Sequence, residues 1–317
     1  MKAVTLHAYG APEVLQVAEL PMPHPAPQEV IVKVQAVAVN YADLLVRQGV
    51  YPMIQQFPAI LPGEISGVIT ATGSEVQHLQ PGQRVSGYAP AGYAAYAAMP
   101  VAGVIVLPEA VVPAQGLLTQ SLTAQHLLEQ TSGYRSVVIT AAGGGVGSQV
   151  VQLARIKGIP QIIALTGSAA KQQYVRSLGA THAINYRDSD WLQQLTNITG
   201  PQGADLILDA TGGDTPSRLV TALAVNGTLI IYGNSSAQPS SVNPRELIMK
   251  SARVVGSTVY NIPPVQRQQW TDYLVQLIAT GQLTSKVNSY PFTEAALAHQ
   301  DVENRHNTGK TVLTFPD

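Results

Sequence analysis

The sequence predicts an α/β protein in which a parallel sheet, covered by helices on both faces, is joined to a β-rich unit. Three observations carry this. From about residue 136 onward, uncharged runs of β-branched residues alternate with helical patterns. Before residue 113 the chain holds short strands and Pro-Gly turns instead. Finally, 45% of the residues are hydrophobic and only 12% are charged, half the usual share of about 25%, so material for sizeable cores is present.

A chain of 317 residues amounts to about two domains. In the first, Val30–Val39 mixes alternation with β-branched residues, and Gly67–Gly73 is a short strand closed by glycine. Gln80-Pro81-Gly82 turns the chain into another strand at Arg84–Tyr88. Pro21, Pro23, Pro25 and Pro27 make an extended connector. Ala114–Gln130 then carries leucines at helical spacing. Strands follow at Ser136–Ala142, Gln161–Thr166, Ala183–Tyr186, Ala204–Asp209, Thr228–Tyr232 and Val254–Val259. Helices at Val146–Lys157 and Ser168–Leu178 separate the first three of them. Buried strands divided by helices imply a parallel sheet. A helix at Val265–Thr280 and a strand at Lys310–Phe315 close the chain.

Composition also excludes. A net charge of −1 is not that of a protein that neutralises phosphate backbones, so nucleic acid is not expected. With no cysteine there is no disulfide and no thiolate zinc site, which fits a cytoplasmic protein. Val85–Pro108 lacks charge and is long enough to span a bilayer, but prolines and glycines break it into turns and strands, and no membrane association is expected.

Ala141-Ala-Gly-Gly-Gly-Val-Gly147 lies between a strand and a helix, where a dinucleotide-binding fold places its glycine turn. Gly144, Gly145, Val146 and Gly147 would bring backbone N–H groups to a pyrophosphate and aim a helix N-terminus at its charge. An NAD site would add an acid about 20 residues further on. Thr166-Gly-Ser-Ala-Ala-Lys171 stands there instead, with a hydroxyl at Ser168 and an ammonium at Lys171, both suited to a 2′-phosphate. Lys171 could also be an ordinary solvated lysine. The missing acid makes NADPH the expected cofactor.

With these residues placed, the chain resembles the medium-chain dehydrogenase/reductase superfamily, and within it the zinc-free NADPH:quinone oxidoreductase branch. The resemblance is carried by Asn40–Asp43, Gly49–Pro52, Pro62–Gly67, Gln80–Val85, Ala141–Gly147, Gly179-Ala180, Ile184–Arg187, Gly233–Ser236 and Gly309-Lys310. It implies a Rossmann NADPH-binding domain (residues 114–260) inserted into a β-rich GroES-like catalytic domain (1–113 and 261–317), and a homodimer formed through the strand at 253–259. By the same resemblance Lys171 and Tyr186 hold the 2′-phosphate. Gly167, Gly233, Asn234, Ser235 and Lys310 belong to the cofactor contacts, Thr123 lies beside the nicotinamide, and Tyr51 and Asn40 line its cleft. Zinc-dependent relatives place cysteine where this chain has Asn40 and histidine where it has Gly63, so no metal is expected. The seven histidines show no ligand spacing.

A site without metal suits acceptors that already delocalise the incoming charge: quinones, or double bonds conjugated to a carbonyl. Tyr51 is the candidate proton donor, with Asn40 assisting through its amide; alternatively Tyr51 only packs on a ring. Asp43 and Glu64 are two acids that no spacing rule brings together, and Asp209 ends a strand with a turn role. The first function expected is reduction of a quinone by NADPH. The alternatives are reduction of enals, enones or enoyl thioesters, for which no clear basic cluster is present, and an NADPH-binding protein with little turnover.

Overall fold

The computed structural model describes residues 1–316 and divides into two compact units. One consists of Met1–Thr119 together with the chain from Thr271 on; the other is Gln120–Trp270. The sequence set these limits at 113/114 and 260/261. The first moves because residues 114–117 bind into the catalytic unit: Ala114 and Leu117 pack with Ala36, Ala38 and Val312. The second moves into the middle of a helix.

In chain order the first segment forms β1 (Lys2–Leu6), β2 (Leu15–Glu19), β3 (Glu29–Ala38), α1 (Tyr41–Arg47), β4 (Ala59–Ile60), β5 (Gly63–Thr72), β6 (Arg84–Ala89), β7 (Tyr96–Pro100) and β8 (Ile105–Val106). The predicted helix from Ala114 begins only at Thr119, as α2 (Thr119–Glu129). Before it, Gly116 turns back onto Val112 and Pro113, and Leu107 fills the space a side chain at Gly116 would need.

The inserted unit alternates as predicted: β9 (Ser136–Ile139), α3 (Gly145–Ile156), β10 (Gln161–Thr166), α4 (Ala169–Leu178), β11 (His182–Asn185), α5 (Trp191–Thr199), β12 (Ala204–Asp209), α6 (Thr215–Leu219), β13 (Leu223–Ile231), α7 (Pro244–Lys250) and β14 (Arg253–Gly256). The chain closes with α8 (Pro264–Ala279), β15 (Val287–Pro291), α9 (Ala295–Glu303) and β16 (Lys310–Thr314).

The inserted unit holds one parallel six-stranded sheet, ordered β11-β10-β9-β12-β13-β14. Its central strands β9, β10 and β12 are buried on both faces, which is why they read as continuous apolar runs. Strand order reverses between β9 and β12, and ligands bind such sheets at the carboxyl ends of the strands beside that reversal. The catalytic unit holds a seven-stranded sheet and a three-stranded one, ordered β2-β1-β4. The C-terminal β16 pairs antiparallel with the end of β3, Val312 opposite Ala38 and Thr314 opposite Ala36, so the chain's last strand is part of the same sheet as its first segment. Val30, Val32, Val34, Ile65, Ile69 and Leu313 are among the buried residues of its core. Among the described residues no helix is long and apolar enough to cross a membrane.

Candidate active site

In the nucleotide-binding unit the glycine turn follows β9. Ala141 adopts a left-handed φ of 48°, and Gly144 N–H closes the turn on Ala141 O at 2.9 Å. Gly144 caps α3, which has no acid in its first turn. The glycines are needed for space. A Cβ on Gly147 would meet Ala141 O at 2.6 Å, and one on Gly145 would meet the Gln120 amide of α2 at 2.4 Å. The first turn of α3 therefore closes on the glycine turn to backbone distance, and α2 reaches it through the Gln120 side chain, with Thr123 one turn further along α2.

The second cluster forms where β10 and β11 end. Gly167 lies against Tyr186, whose Oη would be 2.5 Å from a Cβ there. Ser168 is the N-cap of α4, its Oγ accepting Lys171 N–H at 3.3 Å. The aliphatic stem of Lys171 lies along Gly143, 3.1 Å from where a Cβ would stand. Gly143, Gly167, Ser168, Lys171 and Tyr186 thus converge, although Tyr186 is 15 residues away from Lys171 in sequence. The first turn of α4 contains no acid.

Gly233, Asn234 and Ser235 follow β13 and face the turn after β12. Ser235 N–H donates to Ala210 O at 3.1 Å. Gly212, with φ of 69°, leaves room for Asn234, whose Oδ1 accepts from Ser236 Oγ at 3.0 Å. Asp209 has the turn role: its carboxylate accepts Thr140 Oγ–H and the N–H groups of Thr211 and Gly212. Burial pushes its pKa up, and those donors oppose the shift.

In the catalytic unit, Asn40 is the N-cap residue of α1 and Tyr51 follows the other end, so roughly 10 Å of helix separates their backbones. Asn40 N–H donates to Asp43 Oδ2 at 2.7 Å. Asp43 is fully enclosed, and burial pushes its pKa up to about 8; the Glu64 charge adds to this, while the Asn40 and Tyr93 hydrogen bonds oppose it. Tyr93 Oη lies 3.5 Å from Asp43 Oδ2 and 3.1 Å from His299 Nε2. Burial holds the His299 pKa down at about 3, with the Arg47 charge contributing, so the ring is neutral. A neutral imidazole donating from Nε2 to Tyr93 leaves the tyrosine proton for an oxygen of the Asp43 carboxyl group. Arg47, also buried, donates to Gly10 O and to Glu303.

Sequence reasoning left Asp43 and Glu64 apart and missed Tyr93 and His299. No local signal pointed to the contacts, since the partners come from α1, β5, the segment before β7, and α9. Lys310 also differs from its cofactor assignment. Its ammonium is buried and donates to Ala114 O at 3.0 Å and Leu117 O at 2.5 Å, both within the catalytic unit. Burial lowers its pKa to about 8, which the Glu64 carboxylate opposes. Glu64 in turn accepts Thr119 N–H at 2.7 Å, at the first turn of α2. Lys310 and Glu64 therefore fix residues 114–119.

No group of three or more His, Cys, Asp or Glu residues among those described could hold a metal. At Gly63 a side chain would meet the Tyr93 ring at 3.0 Å.

Residues 26–109 match the family model of the alcohol dehydrogenase GroES-like domain, and residues 145–280 match that of the zinc-binding dehydrogenase. Quinone oxidoreductase 1 of Escherichia coli is 32% identical over 331 residues, covering 98% of both chains. A quinone oxidoreductase of Pseudomonas aeruginosa is likewise 32% identical, over 98% of this chain and 99% of its own. The crystal structure of the E. coli quinone oxidoreductase complexed with NADPH superposes with a TM-score of 0.89 at 30% identity, over 99% of this chain and 100% of that one. Sequence and fold agree over essentially the full length, and the chain belongs to the medium-chain dehydrogenase/reductase family, among its quinone oxidoreductases.

Proposed function

We propose that this protein is an NADPH-dependent quinone oxidoreductase that works without a metal. The observation that carries the reading is the cluster at the ends of β10 and β11. Ser168, Lys171 and Tyr186 offer hydroxyls and a cation where an NAD site needs a carboxylate, and α4 begins there without an acid. The glycine turn before α3 supplies N–H groups and a helix N-terminus for the pyrophosphate. The relatives' names and the NADPH complex support the same cofactor and acceptor. When bound, NADPH supplies the hydride; the protein supplies position and hydrogen-bond donors.

Metal independence rests on donor chemistry. Asn40 offers an amide and Gly63 nothing, so neither matches the cysteine and histidine of zinc-dependent relatives. Charge arriving on an acceptor oxygen then has to be met by hydrogen bonds. Asn40 is held for this by Asp43, and the half-exposed Tyr51 brings a phenol. Thr123, Gly233, Asn234 and Ser235 complete the proposed cofactor contacts, and Lys310 acts through residues 114–117.

A homodimer through β14 fits the same reading. That strand is the sheet edge, paired only with β13, and Ile248, Met249 and Tyr260 beside it in sequence are each at least 70% exposed.

The test is steady-state oxidation of NADPH and of NADH against a quinone and against an α,β-unsaturated aldehyde. Quinone turnover with preference for NADPH is the expected result. Preference for NADH would overturn the reading of Gly167–Lys171, and turnover of the alkenal alone would make the protein an ene-reductase. Tight NADPH binding without turnover of either would favour a binding role.

A further inference from the structure

We propose that Tyr9 is a positioning residue that holds the segment carrying Tyr51 in place for the acceptor, a role that rests on the function just proposed. Tyr9 touches this segment at three points. At its start, Gly49 has φ of 78°, and the Tyr9 ring occupies the space a Cβ would take, with Cγ 2.8 Å away. Further along, Tyr9 Oη donates to Ile54 O at 2.5 Å. At the far end the Tyr9 and Phe57 rings meet edge to face, with centroids 5.0 Å apart. At its beginning the segment is tied to α1, where Gly49 N–H donates to Val46 O and Val50 N–H and Tyr51 N–H both donate to Leu45 O, and Ile54 packs on the core.

Tyr9 is itself fixed. The adjoining Gly10 donates its N–H to Arg47 O at 3.0 Å and accepts from Arg47 Nε at 3.1 Å, and the Arg47 side chain is fully buried. A rigid point next to α1 thus reaches across to the distal half of the segment. Four of the side chains left outward carry apolar surface: Val50 is 60% exposed, Met53 56% and Phe57 39%, with the Tyr51 ring among them at 46%, while Gln55 and Gln56 are the exposed polar ones. Isolated exposed apolar residues are ordinary, but four within eight positions on a clamped segment suit contact with a flat, uncharged ring. Removing the Ile54 bond loosens the backbone between Tyr51 and Phe57 while leaving the ring contacts with Gly49 and Phe57.

The test compares wild-type protein with Tyr9→Phe, which keeps the ring, and Tyr9→Ala, which removes it. Amide exchange in residues 50–57 of the ligand-free protein, the quinone KM, the NADPH KM and the thermal midpoint are read for each. Tyr9→Phe is expected to raise exchange in 50–57 and the quinone KM by about fivefold, the size of one net hydrogen bond. NADPH KM and the thermal midpoint stay at wild-type values. Wild-type exchange and wild-type quinone KM in Tyr9→Phe would overturn the proposal. So would faster exchange throughout the catalytic unit with a lowered midpoint, which marks a merely structural residue, or faster exchange confined to 50–57 with an unchanged quinone KM. If Tyr9→Ala does not fold, Tyr9→Phe decides alone. If the wild type turns over no quinone, the function reading fails by itself, while exchange in 50–57 still decides whether Tyr9 holds the segment.

Discussion

In the nucleotide-binding unit the candidate contacts stand on turns at the ends of β9, β10 and β13, and short-range constraints place them: a glycine turn, a serine cap, a left-handed residue. In the catalytic unit Asn40 and Tyr51 flank one short helix whose setting depends on side chains from residues 9, 93 and 299. The first site combines backbone N–H groups of the glycine turn with the side chains of Ser168, Lys171 and Tyr186, set on strand ends and on the start of α4. The second relies on a buried polar cluster in which Asp43, Tyr93 and His299 contact one another and Arg47 bonds to Gly10 and Glu303, and loss of a partner in that interior is costly. The two units should therefore fail differently, and local changes should damage the first site without unfolding it.

The largest expected difference is in acid. His299 is buried with its pKa lowered to about 3, so the folded protein binds fewer protons than the unfolded chain between about 6.5 and 3. Its contribution is complete above about 6.5 and is lost as the pH falls towards 3, by up to a few kcal/mol. Asp43 acts in the opposite sense. Its pKa is raised to about 8, so its protonated form is favoured in the folded state, and that contribution fades as the pH rises from about 4 to about 8. Arg47 is the fixed positive neighbour of the histidine. His299→Gln should lower stability at pH 7 yet remove the histidine's share of the slope, so that between pH 6.5 and 4 the variant gains stability relative to wild type, because glutamine cannot take up the proton while Asp43 still does. Both tryptophans, Trp191 and Trp270, lie in the nucleotide-binding unit. Their fluorescence against amide exchange in the catalytic unit reads the two units separately. Equal acid slopes in wild type and His299→Gln would remove this distinction.

The same contrast governs what could be read in advance. The alternation of strands and helices, the glycine turn and the acid-free start of α4 were legible because each is local: period, punctuation and the identity of a few neighbours suffice. Lys171 and Tyr186 needed the resemblance to be paired, since 15 residues and a strand divide them. Tyr93 and His299 were invisible because nothing at their own positions differs from an ordinary core residue. Their meaning lies in Asp43, which is 50 residues from Tyr93. The leucine spacing from Ala114 misled for a related reason: Leu117 keeps the helical period but is used to pack on Ala36, Ala38 and Val312. Lys310 had a charge and a position that suited a ligand, and only the carbonyls of Ala114 and Leu117 show how that charge is used.

Lys171→Ala should produce the next largest effect, confined to the cofactor. Loss of one charge-assisted hydrogen bond is worth about 1.5–3 kcal/mol, so NADPH KM should rise about 10- to 100-fold. NADH KM should change less than about twofold, and the urea midpoint should stay put, because surface changes of this kind fall within about 0.5 kcal/mol. An equal rise for both cofactors would show that Lys171 shapes the turn beside Gly143 and does not read the 2′-phosphate.

Ser168 gives the smallest effect and the sharpest separation of the two ways a residue can serve this site. It caps α4 through Lys171 N–H, and it also stands where the 2′-phosphate is proposed to lie. Ser168→Ala removes both contributions: about 1 kcal/mol of stability through the lost cap, and a few-fold in NADPH affinity. Ser168→Asp separates them. Aspartate caps as well as serine and favours the helix dipole, so stability should return to the wild-type value or exceed it slightly. The same carboxylate would face a dianionic phosphate, and NADPH affinity should fall below that of Ser168→Ala while NADH affinity holds or improves. Urea unfolding and cofactor titration on the two variants measure the two effects independently. If Ser168→Asp restores NADPH affinity along with stability, Ser168 is only a cap, and the preference for NADPH then rests on Lys171 and Tyr186 alone.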